Sequence, residues 1–242
     1  MRNITKIVSG VAALALGTTV ALGVLAGPGD KGYAQQKGAE KSGEACAVAD
    51  SCNFCSTSLV MAHPGGHAET ATLGEVVPEF ELMDQSGQPV SINDFEGKIV
   101  VLEWFNDQCP FVKKFYVNGD MNKLADKYEE QGVVWLAIDS SNFSNVEQNA
   151  EIAKEWNIDR PILNDASGEI GKAYKAKTTP HMYVIAADGS LAYMGAIDSK
   201  PSTDQGDIAG AENFVARALD ELLAGESVSL PQTKAYGCSV KY

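Results

Sequence analysis

The chain has 242 residues, 45% of them hydrophobic and 21% charged, which suits one globular domain with appendages. Its 32 acidic residues against 19 basic ones give a formal charge of −13 at pH 7. Phosphate backbones and anionic lipid repel so acidic a surface, which excludes nucleic-acid binding.

Residues 1–34 stand apart from the rest. Arg2 and Lys6 precede an apolar run from Ile7 to Ala26, and Pro28 leads to "GYAQQ", where Gly32 and Ala34 suit a peptidase cut before Gln35. The pattern is a signal peptide, and it implies an exported protein, periplasmic or extracellular. At about 20 residues the run is also long enough to span a bilayer, so an uncleaved N-terminal anchor is the alternative reading and the one route to a membrane.

Residues 35–72 are rich in Ala, Gly and Ser and read as a linker. It carries Cys46, Cys52, Cys55, His63 and His67. The C-x-x-C of Cys52 and Cys55, followed by the H-x-x-x-H of His63 and His67, is a donor set suited to tetrahedral zinc or to copper. A disulfide from Cys46 to Cys52 or Cys55, with solvated histidines, competes with that reading. Nothing else in the chain requires a cofactor.

The folded domain is expected over 73–224. "EFELMD" reads as a strand, "QSGQ" as its turn and "VSINDFEGK" as a connector; "IVVLEWF" is a continuous apolar run of the kind buried on both faces of a sheet. Helical spacing follows Cys109, breaks at Asn118 and Gly119, and resumes at Met121, Leu124, Ala125 and Tyr128. "VVWLAID" is a second buried strand, residues 145–156 a helix, "RPILN" a short strand and "GEIGKAY" a short helix. "HMYVIAADGSLAYMG" is a hairpin turning at Asp188 and Gly189. A last amphipathic helix over 211–223 precedes a tail, 225–242, that carries Cys238. Alternating strands and helices closed by a hairpin give an α/β class, a central mixed sheet with helices on both faces.

"VVLEWFNDQCP" before a helix, "TTP" before a strand and "ADGSLAYMG" as a closing hairpin together resemble the redoxin superfamily, that of alkyl hydroperoxide reductase and thiol-specific antioxidant, over roughly residues 73–224. The resemblance implies a thioredoxin-like three-layer sandwich and thiol or peroxide chemistry. It makes Cys109 the attacking cysteine, and a cysteine at a strand-to-helix junction favours thiolate on physical grounds as well. Lys113 and Lys114 are expected to add positive charge nearby. The resemblance also implies a cis Thr179–Pro180 bond against the thiol, with the Thr179 backbone pairing to a substrate strand, and Pro110 in the same groove. Glu103 falls where thioredoxins carry a proton-shuttling carboxylate.

Val112 occupies the place of the second cysteine of a C-x-x-C motif, so a local disulfide is impossible. The peroxidase branch needs a threonine three residues before its cysteine, a proline four before that, and an arginine near the hairpin. Here those places read Asn106 and Leu102, and the arginines are Arg2, Arg160 and Arg217. Exchange between thiols and disulfides, of proteins or small molecules and with a thiol electron donor, is therefore the leading expectation, with a peroxidase or a metal-binding module behind it. Cys238 is the candidate resolving cysteine; a structural bridge to Cys46, Cys52 or Cys55, or a free tail thiol, is the competing role.

Overall fold

A computed structural model describes residues 70–242. The signal or anchor pattern of residues 1–34 lies outside the described residues, as do Cys46, Cys52, Cys55, His63 and His67.

The first strand contracts to β1 (Glu81–Met83), and its antiparallel partner is β2 (Pro89–Ser91), inside the stretch read as turn and connector. Three residues opening on a proline carry too little pattern to announce a strand. Ser91 and Asp94 then form a reciprocal cap on a 3₁₀ turn over Ile92–Phe95.

The two apolar runs become β3 (Val100–Trp104) and, after α1 (Pro110–Tyr116) and α2 (Asp120–Glu129), β4 (Val134–Asp139); every residue of both strands is buried. Gly119, at φ 68°, takes the left-handed conformation that separates the two helices. Next come α3 (Val146–Glu155), capped by Asn145, then β5 (Ile162–Asn164) and α4 (Glu169–Ala173). The chain ends with β6 (Thr178–Thr179), β7 (His181–Ile185), β8 (Leu191–Gly195), α5 (Phe214–Leu223) and β9 (Cys238–Ser239).

Among the described residues one sheet runs in the order β2-β1-β5-β4-β3-β7-β8, with β3, β4 and β5 parallel and the outer pairings antiparallel. Strand alternation sorts the core into two layers. Val101, Phe105, Trp135, Ala137, Met182 and Val184 face α1, α2, α3 and α5; Leu102, Trp104, Leu136, Ile138, Tyr183 and Ile185 face the other way, towards the 3₁₀ turn and Tyr174 at the end of α4. Each fully buried leucine here contributes roughly 1.5–3 kcal/mol. Helices do cover both faces, but unequally, since the second face is closed largely by extended chain around Val77 and Phe80.

Two boundaries shift. Ala71, expected in the linker, is buried and donates its N–H to the Ala173 carbonyl at 2.9 Å, so ordered packing begins before Leu73. The tail beyond α5 is a strap tied along its length. Met194 of β8 donates its N–H to the Pro231 carbonyl and accepts from the Thr233 N–H, β9 pairs antiparallel with β6, and the Tyr242 hydroxyl donates to the Ala176 carbonyl at 2.8 Å. No helix among the described residues is long and apolar enough to cross a membrane.

Candidate active site

The site forms where β3 leaves the sheet. Cys109 is the N-cap of α1 and Pro110, solvent-exposed, opens its first turn, where a missing N–H costs nothing and the fixed φ suits a helix. Val112, one turn on, has no exposed surface and packs in the core. The position that could have held a second thiol is therefore filled by an apolar side chain contributing to the fold.

Cys109 is 2% exposed. Its thiol donates to the Thr179 carbonyl at 2.9 Å, and the Thr179–Pro180 bond is cis, as the resemblance implied. Burial pushes the thiol up, but the Thr179 hydroxyl, the thiol and backbone N–H of Cys238 and the Val112 N–H outweigh it, and the net value falls below that of an ordinary cysteine. The Thr179 hydroxyl is buried beside the thiol without a hydrogen-bond partner, free to turn its proton toward the sulfur when that sulfur ionises. These donors are local. Helix α1 is two turns long, and Lys114 does not face the thiol: its side chain is buried, 3.5 Å from Asp198 and donating to the Lys200 carbonyl at 3.0 Å.

The edge of Thr178–Thr179, where a substrate strand was expected, is taken by the chain itself. Thr179 stands opposite Cys238 and Thr178 opposite Ser239. Close approach is possible because the preceding residue is Gly237, at φ 139°; a Cβ there would overlap the Thr179 carbonyl. Both cysteines are free thiols. Cys238 is pushed up to about 11, by burial first and then by hydrogen bonding and charge from Cys109. The pair is asymmetric: Cys109 ionises more readily than an ordinary cysteine and Cys238 less readily.

Glu103 lies beneath, on β3, fully buried. Tyr116 donates to both its oxygens at 3.0 Å, Trp135 Nε1 donates at 3.1 Å, and Arg160 stands 3.6 Å away. Burial raises its carboxyl, partly offset by Arg160, Trp135 and Tyr116. The partners of Glu103 and those of Cys109 share no member. Arg160 is itself buried, held by Tyr116 at 2.7 Å and Asn122 at 3.0 Å, and Asn106 is engaged with Ser141 and Gln108. A cleft of about 780 Å³ opens beside α1, between Lys113, Asn122 and Trp156; Cys109 is not part of its wall.

The sequence reading missed Tyr236, Gly237 and Asp198, which fix the strap. The only signal was the "YGC" run itself, an aromatic residue and a glycine before a cysteine. Among the described residues no cluster of His, Cys, Asp and Glu is arranged to hold a metal ion.

Comparison with known proteins places the chain among thioredoxin-like relatives. The thiol-disulfide oxidoreductase ResA of Bacillus thuringiensis subsp. konkukian is 30% identical over 123 residues, covering 51% of this chain and 69% of that protein. Two solved structures superpose well: an uncharacterized conserved protein from Geobacillus kaustophilus, with a TM-score of 0.59 and 30% identity over 71% of this chain and 92% of that one, and a hypothetical protein from Sinorhizobium meliloti 1021, with a TM-score of 0.60 and 26% identity over 72% and 96%. The model of the AhpC/TSA family matches residues 73–194, the span that holds β3, Cys109, the cis Thr179–Pro180 loop and the closing hairpin, and the chain belongs to that family of thioredoxin-like oxidoreductases.

Proposed function

We propose that this protein is an exported thiol–disulfide oxidoreductase in which Cys109 attacks a substrate disulfide and Cys238 resolves the mixed disulfide. The observation that carries the reading is the pairing of Cys238 with Thr179, which brings the strap's thiol to a nucleophile that has only Val112 one turn along. The family and the name of the ResA relative support the reaction class. The signal pattern of residues 1–34 supports export.

The chemistry follows from the asymmetry of the two thiols. Cys109 thiolate attacks one sulfur of the substrate disulfide, forms a mixed disulfide and releases the first substrate thiolate. Its negative charge is then gone, and with it one cause of the raised Cys238 value. Cys238, now easier to ionise, attacks the Cys109 sulfur; a Cys109–Cys238 bond forms, the second substrate thiolate leaves, and the proton from Cys238 passes to it. An external thiol donor reduces the pair for the next cycle. Thr179 and Pro180 shape the groove, Pro110 lies at its rim, and Glu103, whose oxygens are committed to Tyr116, Trp135 and Arg160, supports the helix–sheet packing below.

With Arg160 bonded to Tyr116 and Asn122, and Asn106 to Ser141, neither is turned toward the thiol to hold a peroxide, so exchange ranks above peroxidase activity. The test is turnover of a small disulfide by the full chain and by Cys109→Ser and Cys238→Ala. The reading expects no turnover in the first and a trapped mixed disulfide on Cys109 in the second; unchanged turnover in Cys109→Ser would refute it.

A further inference from the structure

The β6–β9 ladder spans two residue pairs, too short by itself to fix a strand in register. Something else must hold Cys238 against Cys109. Two residues before Cys238, the Tyr236 hydroxyl donates to Asp198 Oδ1, a carboxylate that is 2% exposed. The other oxygen of Asp198 faces the Lys114 ammonium at 3.5 Å, and Lys114 belongs to α1, the helix that Cys109 caps. The Tyr236 ring also meets Phe111 of α1 edge-on, centroids 5.9 Å apart. Strap and helix are thus joined twice through one side chain. Burial and the neighbouring carboxylate push the Tyr236 phenol far up, so it remains a neutral donor.

We infer that Tyr236 is a positioning residue for the exchange reaction: by bonding Asp198 and stacking on Phe111 it ties the strap to the helix carrying the nucleophile and sets the effective concentration of Cys238 at Cys109. The inference rests on the exchange reading above. The step it governs is attack of the Cys238 thiolate on the Cys109 sulfur of the mixed disulfide; the new bond joins the two cysteines, the old bond to the substrate sulfur breaks, and the departing thiolate takes the proton. Nothing beyond the substrate disulfide is consumed. Loss of the hydroxyl removes the tie nearest Cys238 while leaving the ring and the strap's other ties in place.

The experiment equilibrates the full-length protein and its Tyr236→Phe variant with glutathione redox buffers and measures, by non-reducing peptide mass mapping, the fraction carrying the Cys109–Cys238 bond. The reduced strap then spends less time docked, the effective concentration of Cys238 at Cys109 drops, and the equilibrium constant for closing the bond is expected to fall several-fold. A second pair, Cys238→Ala with and without Tyr236→Phe, reads the alkylation rate of Cys109. It should rise in the double variant, because a loosened strap covers the Cys109 sulfur less; an unchanged rate would mean that the strap stays docked without the hydroxyl and would overturn the positioning role. An unchanged equilibrium constant in Tyr236→Phe, with the bond formed normally, overturns the positioning role alone. A wild-type protein that never forms the bond overturns the exchange reading together with it.

Discussion

Helix α1 and the C-terminal strap meet at one sulfur and are held there by different forces. The helix is fastened by an apolar core, with Val112, Phe115 and Tyr116 all buried. The strap is fastened mainly by hydrogen bonds: a two-pair ladder, backbone bonds through Pro231, Thr233, Val240 and Lys241, the Tyr236–Asp198 contact, and Tyr242, whose ring lies over Gly168 and Gly171 while staying 41% exposed. Apolar burial is cooperative and hard to undo, whereas a segment held by hydrogen bonds with little apolar burial opens at lower cost. Under the exchange reading proposed above, the contrast suits the two thiols: a nucleophile needs a fixed geometry, and a resolver needs to step aside for substrate and return. A local C-x-x-C pair has no such freedom.

The largest expected effect is on chemistry at the fixed half. Cys109→Ser should abolish turnover of a small disulfide, leaving the rate of the uncatalysed reaction in a thiol–disulfide assay. Cys238→Ala should strand Cys109 as a mixed disulfide, seen as an adduct in intact-mass spectra. It should also move the pH midpoint of Cys109 alkylation upward, because the Cys238 thiol, which alanine lacks, is among the donors that favour thiolate.

The next effect is on stability. Glu103→Gln leaves the buried Arg160 charge without its partner, and denaturant unfolding should show a loss of about 3–5 kcal/mol. The alkylation midpoint of Cys109 should stay where it is, since the two groups share no partner; a shift would give Glu103 a direct part in the proton chemistry. Deleting residues 236–242 should cost less stability than this. It should also raise the alkylation rate of Cys109 several-fold over that of Cys238→Ala at the same pH, because the strap is what buries the sulfur.

The smallest effect concerns pH. His181, directly after the cis proline, accepts from the Lys177 N–H and contacts the Tyr183 hydroxyl; burial and then Lys177 lower its value to about 4 from 6.5. A depressed histidine favours the fold fully above its unfolded value. As pH falls from about 6.5 to about 4 the unfolded chain takes up a proton that the folded chain refuses, so that stability is lost, at most about 3 kcal/mol. His181→Asn should flatten the stability curve over that window.

Much of this comparison's fixed half was legible in the amino-acid order. "IVVLEWF" and "VVWLAID" announce strands buried on two faces because their apolar runs are unbroken, and Cys109 with Pro110 marks a helix start by its own chemistry. The strap was not legible. Its contacts reach Thr179 and Asp198, which are distant in sequence, and "GESVSLPQTKAYGCSVKY" has no apolar period for a reader to follow. β2 was missed for a related reason: a three-residue strand opening on Pro89 exists only through its pairing with β1. The environment of Lys114 was likewise invisible, because its buried partner lies 84 positions away.

The most direct measurement of the central claim is peptide mass mapping, without reduction, of the reduced full-length protein after acid quenching of its reaction with one equivalent of a small disulfide. The account predicts a Cys109–Cys238 bond as the product. A mixed disulfide persisting on Cys109, or Cys238 bonded instead to Cys46, Cys52 or Cys55, would contradict it.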